Sequence, residues 1–274
     1  MKFTRRDERD RAGREYDALR ALGELGLALA PAPVLLEQER YELPVVVQMW
    51  LAGDVRAAPP ESEAEWRALL EHLAAVHSVR PATVRSPLRD AHLTFTTAEA
   101  CRQRVLRGAA LVPESARTAE LNALARRVEA VRLPEWPEPE LTLCRMDPNT
   151  TNFIRRPGAW VSVDWENSGW GDPAFELADL LAHPAYLGLS EDERERAIDA
   201  YCALSDDRLV GLRARAYLPL MLADWAMFFA RKAYEHGQGR PSKARLVNWP
   251  AEWYAGLPQR AVAYTQAALT LLSA

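Results

Sequence analysis

A single β-rich island, residues 141–165, interrupts a chain that otherwise reads as helix from residue 62 onward. Residues 141–143 form a short apolar run that feeds a polar loop carrying Asp147 and ending at Asn152. Residues 153–156 and 160–163 are β-rich and meet at Pro157-Gly158, a type II turn signature. Stretched out, the twelve residues from Asn152 to Asp164 would span roughly 40 Å. Folded back at Pro157-Gly158, Asn152 and Asp164 reach the same end of a hairpin, where cross-strand neighbours are about 5 Å apart. Asp147 enters at that end. Two carboxylates and an amide oxygen therefore converge, and all are hard oxygen ligands of the kind Mg²⁺ takes. Phosphoryl transfer uses such a set: a carboxylate and an amide to hold the metal, and a second carboxylate to accept or orient the proton of the attacking hydroxyl.

The segments around the island divide the chain in two. Residues 7–27 carry Ala12, Tyr16, Leu19, Leu22 and Leu25 at three- and four-residue steps, the period of an amphipathic helix. Pro31 and Pro33 end it. Residues 34–39 and 43–50 predict a β-hairpin, and Gly53-Asp54 opens a linker rich in Pro and Ala. Helices are expected over 62–79, 96–108, 115–131, 173–182, 191–204, 206–236 and 251–272, with Asp172 as an N-cap before Pro173. The expected organisation is a small β-containing lobe, 1–53, followed by a large, mainly helical lobe, 54–274. His77 reads as a hydrogen-bonded core histidine.

Composition excludes several functions. The net charge of −4 supplies no broad basic field, which argues against nucleic acid as a partner. No apolar run approaches the roughly 20 residues of a membrane span. Cys101, Cys144 and Cys202 lack metal-type pairing, so they are expected as reduced thiols in a cytoplasmic protein.

The island resembles the catalytic segment of aminoglycoside phosphotransferases and choline-kinase-type enzymes, which share the protein-kinase-like fold. Their catalytic loop usually reads His-Gly-Asp-x-x-x-x-Asn and their metal motif Ile-Asp-Trp or Ile-Asp-Phe. The matching residues here are Arg145-Met146-Asp147 through Asn152, and Val163-Asp164-Trp165-Glu166. Gly171-Asp172-Pro173-Ala174-Phe175-Glu176-Leu177-Ala178 resembles the family's Gly-Asp-Pro-x-x-Asp-Leu-Ala signature. The resemblance implies an α+β, bilobal fold and an ATP- and Mg²⁺-dependent transfer to a hydroxyl of a small molecule. It implies Asp147 as the catalytic residue and Asn152 with Asp164 as metal ligands. Lys2 and Glu15 match the Lys–Glu pair that positions the α- and β-phosphates. Residues 45–53 match the segment linking the lobes, where backbone at Gln48, Met49 and Trp50 contacts adenine. Arg145 stands where the family has His, and it can brace the loop by hydrogen bonding. If Lys2 is the phosphate lysine, the chain starts within the third strand of a truncated small lobe. The first two strands and the Gly-rich phosphate loop are then missing, through a truncated gene model or in a protein that binds ATP without that cover. The alternative function is a catalytically silent nucleotide- or ligand-binding protein; a metal-dependent hydrolase normally needs more His or Asp ligands than the island offers.

The helix over 206–236 places Asp224, Phe228, Arg231 and Glu235 on one face, with Trp225, Phe229 and Lys232 adjoining. Asp224, Trp225 and Phe228 are candidate acceptor contacts, and such a face suits a cationic acceptor through ion pairing and cation–π contact. Aromatics in the core with solvated charges are the alternative.

Overall fold

The computed structural model describes residues 1–239 and 251–273. The first elements are β1 (Lys2–Phe3), α1 (Arg11–Glu24), β2 (Pro33–Glu37) and β3 (Val45–Gln48). The three strands form an antiparallel sheet in the order β1-β3-β2. Helix α1 starts later than its apolar period because Asp10 caps it, its carboxylate accepting the Gly13 N–H. It stops at Glu24, where the Leu27 and Gly26 N–H groups close back on the Leu22 and Gly23 carbonyls.

The chain continues through α2 (Glu63–His77), α3 (Ala98–Ala110), α4 (Ala119–Ala130), β4 (Thr142–Cys144), β5 (Phe153–Arg156), β6 (Ala159–Ser162), β7 (Gly169–Gly171), α5 (Pro173–Ala182), α6 (Glu191–Cys202) and α7 (Val210–Gly237). It closes with α8 (Ala251–Ala255) and α9 (Leu257–Leu271), so the single helix expected over 251–272 is broken at Gly256. Strands β5 and β6 form the expected hairpin. Strands β4 and β7 form a second antiparallel pair, which the glycine-rich 169–171 run did not announce. Asp172 caps α5 through the Ala174 N–H at 2.9 Å, and the Arg213 guanidinium binds the same carboxylate at 2.8 Å.

The chain forms two compact units. One comprises Met1–Thr96 and Trp136–Ala214, the other Thr97–Glu135 and Arg215–Ala274. The first contains every strand of the described residues together with α1, α2, α5 and α6. Its core joins Ala18, Leu19 and Leu22 of α1 to Val76, Val79, Leu143 and Trp165. The linker after Gly53 runs against β5: the Asp54 N–H donates to the Arg155 carbonyl at 3.0 Å, and the Arg155 N–H returns to the Asp54 carbonyl at 2.7 Å. Only glycine permits that approach, because a Cβ at residue 53 would lie 2.3 Å from the Ile154 side chain. The second unit packs α3, α4 and α9 together, and Trp225 and Tyr264 stack on Phe229 with centroids 5.5 and 5.4 Å away. Cys101, Cys144 and Cys202 form no disulfide. Among the described residues no helix is long and apolar enough to cross a membrane.

Candidate active site

The loop after β4 is held from below by one carboxylate. Glu176, on α5, accepts the backbone N–H of Arg145 at 3.0 Å and of Met146 at 2.8 Å. The His77 Nε2 lies 2.8 Å from it, and the His77 Nδ1 lies 2.5 Å from the Tyr201 hydroxyl. With Glu176 ionised, Nε2 donates to it and Nδ1 accepts from Tyr201, which assigns the tautomer through the network. Burial works against the Glu176 carboxylate, but the His77 hydrogen bond, the charge of Arg145 and the Met146 N–H hold its pKa below the ordinary value. The brace matters because Met146 adopts a left-handed backbone, φ 57°, a conformation that costs a non-glycine residue about 1–3 kcal/mol.

Glu176→Ala would leave two buried N–H groups and a buried imidazole without their acceptor. A loss of about 3–5 kcal/mol in unfolding free energy is expected, read by denaturant titration. The same carboxylate sets an acid limit. Its folded pKa is depressed, so its contribution is present above the unfolded value of 4.5 and is lost as pH falls through the folded one. A wild-type denaturation midpoint in Glu176→Ala would remove the bracing role.

The hairpin brings its mouth residues together as its turn chemistry requires. Gly158 has φ 75°, the positive value that the third position of a type II turn demands. Phe153 pairs with Ser162, and the Val163 N–H donates to the Asn152 carbonyl at 2.9 Å. Asn152 and Asp164 thus sit just beyond the last strand pair. Asp164 is 36% exposed and left-handed, φ 63°. Buried Trp165 follows it and anchors the turn through Nε1 to the Ser162 carbonyl at 3.0 Å. Arg145 is buried under the hairpin. Its guanidinium lies 4.5 Å from the Phe153 ring centroid and reaches the Val163 carbonyl at 3.4 Å, so it ties the loop to the strand before Asp164. The Asp147 carboxylate accepts the Asn149 N–H at 3.2 Å. Burial raises its pKa; the Arg145 charge opposes the rise and the Asp164 charge adds to it.

Lys2 enters from β1. Its ammonium lies 2.6 Å from Glu15 and 3.3 Å from Glu166, and it also contacts Asp164. Burial disfavours the charged amine, but Glu15 and Asp164 outweigh it and hold the Lys2 pKa above the ordinary range. Glu15 is fully buried, which pushes its pKa up against the pull of Lys2. Oxygens of Glu15, Asp164 and Glu166 lie within 4.8 Å of one another. This all-oxygen set already surrounds one cation, the Lys2 ammonium, and its chemistry fits Mg²⁺. Glu166 also pairs with Arg11, which Asp7 holds at 2.9 Å. The sequence pattern assigns a site role to neither Glu166 nor Arg11. The available signal was spacing, since Arg11 precedes Glu15 by one helical turn on α1.

The other expected site residues lie at the end of β3 and in the second unit. At the end of β3, the Met49 N–H is taken by the Ala32 carbonyl at 2.9 Å, while Trp50 is 91% exposed. In the second unit, Asp224 pairs with Arg104 at 3.0 Å, and Phe228 meets Trp225 edge-on at 5.3 Å.

The model of the phosphotransferase enzyme family matches residues 1–217. The chain belongs to that family. Comparison with curated protein sequences returns no match. Among solved structures, the chain is similar to a choline/ethanolamine kinase family protein from Mesorhizobium loti, with TM-score 0.62 and 18% identity over 96% of this chain and 79% of that one. It is also similar to a putative aminoglycoside phosphotransferase from Ralstonia eutropha, with TM-score 0.65 and 14% identity over 94% and 83%. A spectinomycin phosphotransferase solved with ADP and spectinomycin aligns with TM-score 0.58 and 12% identity over 96% and 83%. At these identities the likeness establishes the fold, which is kinase-like: a small sheet portion and a large helical part.

Proposed function

We propose that this phosphotransferase-family protein is a cytoplasmic, Mg-ATP-dependent kinase acting on a hydroxyl of a small molecule. The observation that supports the reading is the contact of Lys2 with both Glu15 and Asp164, which assembles residues far apart in sequence around a carboxylate whose charge reaches Asp147. Asp147 accepts or orients the proton of the acceptor hydroxyl. Lys2, steadied by Glu15, binds the α- and β-phosphates. Asn152 and Asp164 hold Mg²⁺, which when bound neutralises charge across the phosphates. Backbone at Gln48, Met49 and Trp50 takes adenine through groups other than the Met49 N–H, which the Ala32 carbonyl holds at 2.9 Å. In this reading residues 1–53 are the nucleotide lobe and 54–274 the catalytic and substrate lobe. At least one of Asp224, Trp225 and Phe228 contacts the acceptor.

The test is ADP formation by the full chain with Mg-ATP, against a panel of aminoglycosides, choline-like alcohols, sugars and amino alcohols. Acceptor-dependent ADP release is the expected result. Mg-ATP binding with no acceptor consumed across the panel would favour a catalytically silent nucleotide-binding protein. Absence of Mg-ATP binding would end the kinase reading.

A further inference from the structure

The second unit contains a cavity of about 360 Å³ whose charge is opposite to the one that the spacing of Asp224 and Phe228 implies. One wall is α3, where Arg104, Arg107 and Gly108 follow one another at helical steps. The other is the 224–231 stretch of α7, which presents Asp224, Phe228 and Arg231 along one face. Three guanidinium groups against one carboxylate leave two positive charges among the described lining residues. The carboxylate is also engaged, since Asp224 binds Arg104 at 3.0 Å. A cationic ligand would meet a surplus of like charge and no unengaged carboxylate.

The arginines are not simply spread over solvent. Arg104 is 41% and Arg231 is 31% exposed, and both converge on the same concavity. The Arg231 Nε is buried and forms an ion pair with the Glu235 carboxylate at 3.6 Å, beyond hydrogen-bond distance, and Glu235 is shared with Lys232 at 2.7 Å, so the surroundings stay net positive. Like charges three residues apart on a helix, as in Arg104 and Arg107, repel unless an anion lies between them. Phe228 adds an aromatic surface beside the guanidinium groups, braced by the edge of Trp225 at 5.3 Å. Planar guanidinium forks suit carboxylate and phosphate oxygens, and the ring suits an apolar body attached to them.

We propose that this cavity binds a small molecule that joins an anionic group, carboxylate or phosphate, to an apolar or aromatic body. Only its identification as the acceptor site rests on the kinase reading; the binding itself does not.

The test uses two probes of one shape and opposite charge, phenyl phosphate and phenyltrimethylammonium, titrated calorimetrically into the full chain saturated with Mg-ADP. Inorganic phosphate serves as the ring-free control. Phenyl phosphate is expected to bind more tightly than inorganic phosphate, and phenyltrimethylammonium not to bind. Arg231→Gln, Arg104→Gln and the exposed Arg107→Gln should each weaken phenyl phosphate by roughly 5-fold, the weight of one partly exposed charge contact. Asp224→Asn should tighten it, because Arg104 then faces the ligand uncompensated. Arg107 lies on the surface of α3, so its variant keeps the test valid if a more buried arginine cannot be replaced. The proposal fails if phenyl phosphate does not bind at millimolar concentration. It also fails if its affinity is the same in the arginine variants, or if phenyltrimethylammonium binds and Asp224→Asn weakens it. Failure would leave acceptor-dependent ADP formation untouched.

Discussion

Asp147→Asn is expected to lower turnover by about 10²- to 10⁴-fold, the range of general-base and positioning roles, while Mg-ATP affinity and unfolding free energy stay near wild type. The substitution is close to isosteric, and the amide oxygen can still accept the Asn149 N–H that the carboxylate accepts at 3.2 Å. What is lost is the charge and basicity at the acceptor oxygen. Because burial raises the Asp147 pKa, a carboxyl titration by NMR in the metal-free protein should place its midpoint above the ordinary 3.8. The ionised, proton-accepting form therefore dominates above that midpoint and disappears as pH falls through it. Wild-type turnover in Asp147→Asn would reject the assignment, whatever the titration shows.

Asp164→Asn should weaken Mg²⁺-dependent ATP binding by more than about 100-fold, since even residues that only orient a metal ligand are worth roughly 10- to 100-fold in metal affinity. Asn is the informative replacement. Residue 164 is left-handed, φ 63°, a conformation that Asn tolerates and that would cost Ala about 1–2 kcal/mol. The variant thus isolates the carboxylate charge from backbone strain. Lys2 retains Glu15 at 2.6 Å, so the ammonium proposed to bind the phosphates remains placed. Asn152→Ala should cost less, because an amide oxygen brings no net charge to the cation. Calorimetric titration with and without Mg²⁺ separates the two. If Asp164→Asn binds Mg-ATP as wild type does, the hairpin mouth is not the metal site.

Much of this site was legible without the structure, and the legible parts share a cause. Strand β5 and helix α5 begin and end where the sequence pattern predicts, because Pro157-Gly158 and Asp172-Pro173 specify a turn and a cap through their own backbone geometry. The convergence of Asn152 and Asp164 follows from that turn alone. Termini that depend on tertiary partners moved. Helix α1 begins at Arg11 because Asp10 is left-handed and Gln38, 28 residues away, donates to its carboxylate. The roles that escaped the pattern are pairings over long separations. Glu176 braces a loop 30 residues upstream, Arg11 meets Glu166 across 155 residues, and Arg104 neutralises Asp224 across 120. The charge of the second-unit cavity shows the difference most directly. Helical spacing put Asp224 and Phe228 on one face, which is a local property of α7. Which side chains α3 would bring against that face depended on packing between segments more than a hundred residues apart, and only the folded chain decided it.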